Sequence, residues 1–318
     1  MFNVLVLGGS GFIGRSVCER LVERSGGAGG QIVVPSRRPA RAKHVQMLPT
    51  VELRQADVHD DGQLAALVAG SDAVVNLVAR LHGSKGEFQR AHVDLPRRLA
   101  AACRAQGVPR LVHVSALGVG ATAPSRYLRS KAAGEAVLQA AGLNLTVLRP
   151  SVVFGEHDHF LNLFASLLAL APVLPLAGAS ACFQPVWVED VARAIVACLD
   201  DPTTIGQTIE CTGPTVYTLA ELVRLTGQWS GHQRPVIGVP MALGRLQAGL
   251  LELLPGEPLM SRDNLDSMAV DNVAGGQFPG LARLGITAAA LETVAPVYLG
   301  GHGGPARLDP WRARHRRG

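Results

Sequence analysis

Tyr127 and Lys131 stand four residues apart in the stretch "YLRSK". On a helix that spacing puts both side chains on one face, one turn apart. A free phenol ionises at about pH 10, too high to cycle a proton easily in neutral water. An ammonium group one turn away favours the phenolate and brings the phenol closer to the working range. The pair could move a proton at a substrate oxygen. It could equally do no more than hold a ligand, with Lys131 reaching hydroxyl groups and Tyr127 packing beside it.

A second stretch, "GGSGFIG", contains Gly8, Gly9, Ser10, Gly11, Phe12, Ile13 and Gly14. It follows "NVLVL" (3–7), which reads as a strand, and opens a run to Arg24 that reads as a helix. That is the setting a dinucleotide fingerprint requires. Gly9 and Gly11 let the backbone turn tightly and approach a pyrophosphate, and Gly14 allows close helix–strand packing. The helix N-terminus then presents free N–H groups to the phosphates. A carboxylate about 20 positions further on would select NAD by binding its ribose 2′-hydroxyl. Here "VVPSRRPAR" puts Ser36, Arg37 and Arg38 in that place. Planar guanidinium groups suit a 2′-phosphate, so NADP(H) is expected ahead of NAD(H). The same arginines could be a solvated loop. Asp57, followed by Val58 in "ADV", comes after the third strand and could accept from an adenine amine.

These residues need a framework. Short apolar runs at 3–7, 31–35, 51–55, 73–78, 110–115 and 145–150 alternate with helical patterns at about 60–69, 87–106 and 125–141. That rhythm predicts an α/β fold, a doubly wound parallel sheet covered on both faces. After residue 150 helical patterns dominate, at 159–171, 189–200, 218–229, 241–254 and 261–269. They are interrupted by "FQPVWV" (183–188) and "QTIECT" (207–212). The expected organisation is a dinucleotide-binding domain over 1–150, a smaller and mostly helical substrate or partner region over 151–300 that partly rejoins the sheet, and a basic tail over 301–318.

Taken together, "GGSGFIG", "ADV", "YLRSK" and "LRPSVVFG" resemble the extended and atypical short-chain dehydrogenase/reductase superfamily, a Rossmann fold. "SRYLRSKAAGE" (125–135), "RPSVVFGEHDHFLNLFAS" (149–166), "FQPVWVEDVARAI" (183–195), "EPLMSRDNL" (257–265) and "LGITAAALE" (284–292) narrow the resemblance. They are similar to the nucleotide-binding accessory subunits of respiratory complex I, of the alpha-subcomplex subunit 9 type, and their bacterial relatives. The resemblance runs to about residue 299. It implies a protein that holds NADPH, is linked to the respiratory chain or to ubiquinone, and is either a reductase or a structural or assembly component stabilised by bound NADPH. As a reductase it would move a hydride to or from a carbonyl or alcohol on a small apolar, quinone-related substrate. Tyr127 would then be the acid, Lys131 its electrostatic partner and a ligand of the nicotinamide ribose, and Ser115 the orienter of the substrate oxygen. Two departures stand against full activity: Ala116 occupies the position where many members carry the hydroxyl, and His92 in "AHVDLP" replaces an asparagine. The resemblance also assigns cofactor contacts to Ala79, Pro150, Val152 and Val153. A third reading is a nucleotide-sugar epimerase or dehydratase, which the apolar segment 160–178 suits poorly.

With 47% hydrophobic and 17% charged residues, the chain has the composition of an ordered globular protein. Cys18, Cys103, Cys182, Cys198 and Cys211 are scattered and never form CxxC, so neither a disulfide framework nor a metal site is expected. The start has no basic n-region, and nothing resembles a nucleic-acid module. The expected location is cytoplasmic, with peripheral contact at the inner face of a membrane. That contact would involve Arg312, Arg314, Arg316 and Arg317. Segment 160–178 is long enough to span a bilayer, but Asn162, Pro172 and Pro175 interrupt it, so it reads as a helix and a loop over a pocket. Leu243, Leu246, Leu250 and Leu254 form an apolar stripe, widened by Leu251 and Leu253. It is expected to pack on the chain's own core, with membrane or partner docking as the alternative.

Overall fold

The computed structural model describes residues 2–27, 29–252 and 260–300. The strands are β1 (Val4–Leu7), β2 (Ile32–Ser36), β3 (Val51–Gln55), β4 (Ala73–Asn76), β5 (Arg110–Val114), β6 (Asn144–Pro150), β7 (Val153–Phe154), β8 (Leu174–Ala177), β9 (Cys182–Phe183), β10 (Val186–Trp187), β11 (Thr208–Cys211), β12 (Tyr217–Thr218) and β13 (Val236–Val239). The helices are α1 (Phe12–Arg24), α2 (Lys43–Gln46), α3 (Asp61–Val68), α4 (Lys85–Gln89), α5 (Leu95–Ala105), α6 (Arg126–Gln139), α7 (Leu161–Leu170), α8 (Val188–Asp200), α9 (Leu219–Trp229), α10 (Met241–Leu251), α11 (Arg262–Ser267) and α12 (Leu291–Leu299).

Seven strands form one sheet in the order β11-β6-β5-β4-β1-β2-β3. All its pairings are parallel. The chain runs outward from β1 to β3 and then returns to place β4 beside β1. The strand order therefore reverses at the β1–β4 boundary, where doubly wound sheets open a crevice for ligands. The expected fold class is the one observed.

Alternation along β1 builds the core on two sides. Val4 and Val6 face α1 and α8, packing with Val17, Leu21, Val191 and Ile195. Leu5 and Leu7 face the other layer, with Leu64, Leu95, Leu99 and Leu138. β1, β4 and β5 are buried along their whole length, so their apolar residues face both layers rather than alternating with exposed polar ones; Asn76, Arg110 and His113 are buried polar exceptions.

Beyond β6 the chain makes small two-stranded pairings, β7 with β10, β9 with β12 and β8 with β13, while β11 joins the main sheet beside β6. Two expectations need correction here. Segment 160–178 is helix α7 followed by strand β8, not a helix and a loop. The leucine stripe of α10 is not core: Leu243, Leu246 and Leu250 are exposed. The buried face of α10 is made of small residues. Ala248 is fully buried, and a Cβ on Gly244 would lie 2.3 Å from the Cβ of Ala177. The side chain of Leu251, residues Leu253 and Leu254, and the basic tail lie outside the description. Among the described residues no helix is long and apolar enough to cross a membrane.

Candidate active site and dinucleotide cleft

Gly8 leaves β1 with φ +82°, a left-handed conformation that favours glycine. A Cβ on Gly9 would lie 2.8 Å from a Val34 methyl, and one on Gly14 would lie 2.2 Å from the Gly8 carbonyl oxygen. The loop Gly8–Gly14 can therefore exist only with glycine at these points. The N-cap of α1 is Gly11; no side chain caps the helix and no acidic residue occupies its first turn. A tight loop with its helix amides left to an outside acceptor fits a pyrophosphate. Ser10, Phe12 and Ile13 lie on this loop and the first turn. The Ser10 carbonyl lies 3.2 Å from His44 Nε2 of α2.

At the end of β2, Ser36 Oγ accepts from the Arg38 N–H at 3.2 Å and shapes the turn. Arg37 and Arg38 are exposed, and neither is in an ion pair among the described residues. Asp57 follows β3; its Oδ1 accepts from the His59 N–H, and its Oδ2 lies 3.8 Å from Arg90 Nη2. His59 is held below the usual histidine range, first by burial and then by Arg90, with Arg37 and Arg98 contributing. Three guanidinium groups thus act on one spot beside Asp57 and Val58. Arg90 and Arg98 were not picked out from the sequence, because they come from the far side of β4. Ala79 is exposed just beyond β4, across the crevice from the glycine loop.

Ser115 and Lys131 lie at the C-terminal end of β5, and Tyr127 is one turn from Lys131 on α6. Ser115 follows β5, 4% exposed, and its Oγ has no hydrogen-bond partner. Lys131 of α6 is 2% exposed and donates from Nζ to the carbonyl of Val114 at 2.7 Å, so the lysine is tied to the residue beside Ser115. Burial pulls the ammonium down to about 8, against the opposing pull of Glu135. Burial pushes the Tyr127 phenol up to about 12. The Tyr127 ring stands edge-on to His92, with centroids 5.5 Å apart, and to Phe88 at 6.3 Å. Among the described residues its hydroxyl makes no hydrogen bond. Pro150, Val152 and Val153 lie at and beyond the end of β6, where Ser151 and the Val152 amide bond to Asn272.

His92 has a structural role. It sits in a π-helical turn over Arg90–Asp94. The Arg80 N–H donates to Nε2 at 3.0 Å, so Nε2 bears no proton and Nδ1–H donates to Ser130 Oγ at 2.8 Å. Ser130 in turn donates to the Tyr127 carbonyl at 2.8 Å. Burial, with Lys131 and Arg80 adding to it, holds the imidazole down at about 3, so it stays neutral. Beneath it lies a second neutral imidazole that the sequence did not single out. Asn76 Oδ1 accepts from the Val78 N–H, which turns Nδ2 towards His113 Nδ1 at 3.2 Å. Among the described residues no group of His, Cys, Asp and Glu could hold a metal ion.

A glycine loop at a strand-order reversal and a Tyr-Lys helix beside it are the two features a family assignment would require. Residues 4–211 match the model of the NAD dependent epimerase/dehydratase family. The chain belongs to that family. Within it, the chain is 32% identical over 293 residues to the mitochondrial NADH dehydrogenase [ubiquinone] 1 alpha subcomplex subunit 9 of Mus musculus, covering 90% of this chain and 77% of that protein. The crystal structure of gox2253 superposes with a TM-score of 0.71 at 21% identity, over 95% of this chain and 99% of that one. The dTDP-glucose 4,6-dehydratase DesIV of Streptomyces venezuelae, with NAD and TYD bound, superposes with a TM-score of 0.65 at 25% identity, over 75% and 84%. The resemblance to complex I subunit 9 therefore holds, and the chain is a member of the NAD dependent epimerase/dehydratase family related to that subunit.

Proposed function

We propose that the protein binds NADP(H) in preference to NAD(H) and reduces a carbonyl on a small apolar, quinone-related substrate. The observation that carries the reading is the buried, unbonded Ser115 Oγ beside the buried Lys131, with Tyr127 one turn from Lys131 on α6. Natural folds rarely leave a buried hydroxyl unpartnered, and the exceptions concentrate where a ligand completes the bond. The glycine loop and the helix N-terminus of α1 would hold the pyrophosphate, Arg37 and Arg38 a 2′-phosphate, and Lys131 the ribose hydroxyls. The dinucleotide would supply the hydride. The chain would then supply the proton: Ser115 orients the substrate oxygen, and Tyr127 donates its phenolic proton to it. A phenol near 12 is fully protonated at neutral pH, so the proton is in place, but burial makes it a weaker acid than a free phenol, and transfer would need positive charge beside it to bring it back down.

The relative named as an NADH dehydrogenase subunit supports a respiratory-chain partner at the membrane periphery. A second reading, a nucleotide-stabilised structural component, keeps every binding residue and dispenses with turnover. Calorimetric titration should give NADPH at least about tenfold tighter than NADH, with the advantage lost in the Arg37→Ala/Arg38→Ala double variant. Equal affinities in the wild type would remove the phosphate assignment. With NADPH and a panel of apolar ketones and quinones, Tyr127→Phe should retain binding and lose roughly 10²–10⁴-fold in turnover. Absence of turnover in the wild type would leave the structural reading.

A further inference from the structure

Asp263 lies in the first turn of α11, and its side chain is almost completely buried. Both of its oxygens are spent on α6. Oδ1 accepts from the Arg126 N–H at 2.7 Å, and Oδ2 from the Tyr127 N–H at 3.0 Å. The N-cap residue Ser125 takes the next amide, that of Leu128, at 3.1 Å. A helix ordinarily leaves its first amides to a local cap or to water. Here a carboxylate 136 residues away in the chain takes two of them through charge-assisted bonds. Asp263 is itself fixed: Ser261 and Asn264 form a capping box around the turn that carries it.

The same segment then runs along the whole site. A Cβ on Gly118, three residues past Ser115, would touch Val270 at 3.4 Å. Asn272 Oδ1 accepts from Ser151 Oγ at 2.6 Å and from the Val152 N–H at 2.9 Å. Residues 261–272 thus brace the start of α6, the loop after β5 and the end of β6, the three places that supply Tyr127, Ser115 and Val152. Within that segment, Asp263 is the residue whose side chain bonds the tyrosine's own backbone.

We infer that Asp263 is a positioning residue for Tyr127, setting the place of the phenol without touching the reacting atoms. The inference rests on the reading of Tyr127 as the proton donor. The His92–Ser130 chain holds the Tyr127 carbonyl from one side, and Asp263 holds its amide from the other. The ring then stands edge-on against Phe88 and His92.

The test uses the full chain with NADPH bound, in three forms: wild type, Asp263→Ala and Asp263→Asn. Asp266→Ala is the comparison, because Asp266 is on the same helix and makes only an exposed pair with Arg245. The chain has three tyrosines, Tyr127, Tyr217 and Tyr298, so carbon-13 labelling at the phenol carbon gives three assignable NMR signals. In Asp263→Ala the Tyr127 signal should move or broaden while the other two stay. The Arg126 and Tyr127 amides should exchange with solvent about tenfold faster or more. Asp263→Asn, which retains one acceptor oxygen, should fall between, and Asp266→Ala should match the wild type. Turnover should fall with kcat while the NADPH Kd changes by less than about threefold. An unmoved Tyr127 signal together with unchanged amide exchange in both Asp263 variants would overturn the inference. A wild type without turnover would instead remove the proton-donor reading, and the NMR result would still decide whether Asp263 holds Tyr127.

Discussion

Ser115 and Tyr127 are each placed by their neighbours but bonded through their hydroxyls to none of them. A buried hydroxyl without a partner costs stability, so Ser115→Ala should raise the unfolding free energy by about 1 kcal/mol. If the hydroxyl orients a substrate, the same variant should lose turnover. Thermal and urea unfolding read the first effect and a steady-state assay the second; a destabilised Ser115→Ala would show that the hydroxyl is bonded after all. Much of this site was legible from local spacing. Tyr127 and Lys131 are one turn apart, and the glycines of 8–14 follow a strand and open a helix. Asp263, Arg90 and His113 were not legible, because each acquires its role through a partner that folding brings in from another element. His92 looked like a departure from a pattern; only its two hydrogen bonds show that it anchors α6.

At the scale of elements, the α6 helix depends on how closely it can approach the turn before α5. A Cβ on Gly134 would lie 1.9 Å from the His92 carbonyl oxygen, which cannot move without breaking the π-helical turn. Gly249, in the last turn of α10, has open space around its Cβ position. Gly134→Ala should therefore cost about 3 kcal/mol, whereas Gly249→Ala should add about 0.5–1 kcal/mol by helix propensity alone. Chemical denaturation of the two variants checks the contrast, and equal effects would refute the close crossing. Helices were read well from their periodicity, with α8 and α9 found within a residue or two. The burial of α10 was read backwards. Periodicity identifies a leucine stripe but not which face packs, and Gly244 with Ala248 lets the small-residue face approach Ala177 more closely than leucines could. The pairs β7–β10 and β9–β12 are two residues long on each side, too short to leave a pattern.

For the molecule as a whole, residues on either side of position 150 share one core. Val191, Ile195, Cys198 and Ile209 lie in the same cluster as Val4, Val6 and Val17. Helix α8 packs along α1 and is tied to it by the Arg20–Glu189 ion pair at 2.7 Å. Strand β11 closes the sheet beside β6. A fragment of residues 1–150 would expose one face of its sheet to water, losing roughly 1.5–3 kcal/mol for each large side chain left uncovered. We therefore expect that fragment not to melt cooperatively, even with NADPH present, while residues 1–300 do. Circular dichroism on the two purified fragments decides it, and a cooperative transition in the shorter one would show that residues 1–150 fold alone.

The unbonded hydroxyls also bear on how such a chain can change over generations. Selection for folding would favour losing the Ser115 oxygen, and on the proposed reading selection for holding a nucleotide would act on the glycine loop, the arginines and Lys131 instead. A lineage that no longer needs turnover can shed two oxygen atoms and keep its architecture and its ligand. Catalyst and scaffold would then differ at two positions, invisible to any comparison that weighs the whole sequence equally.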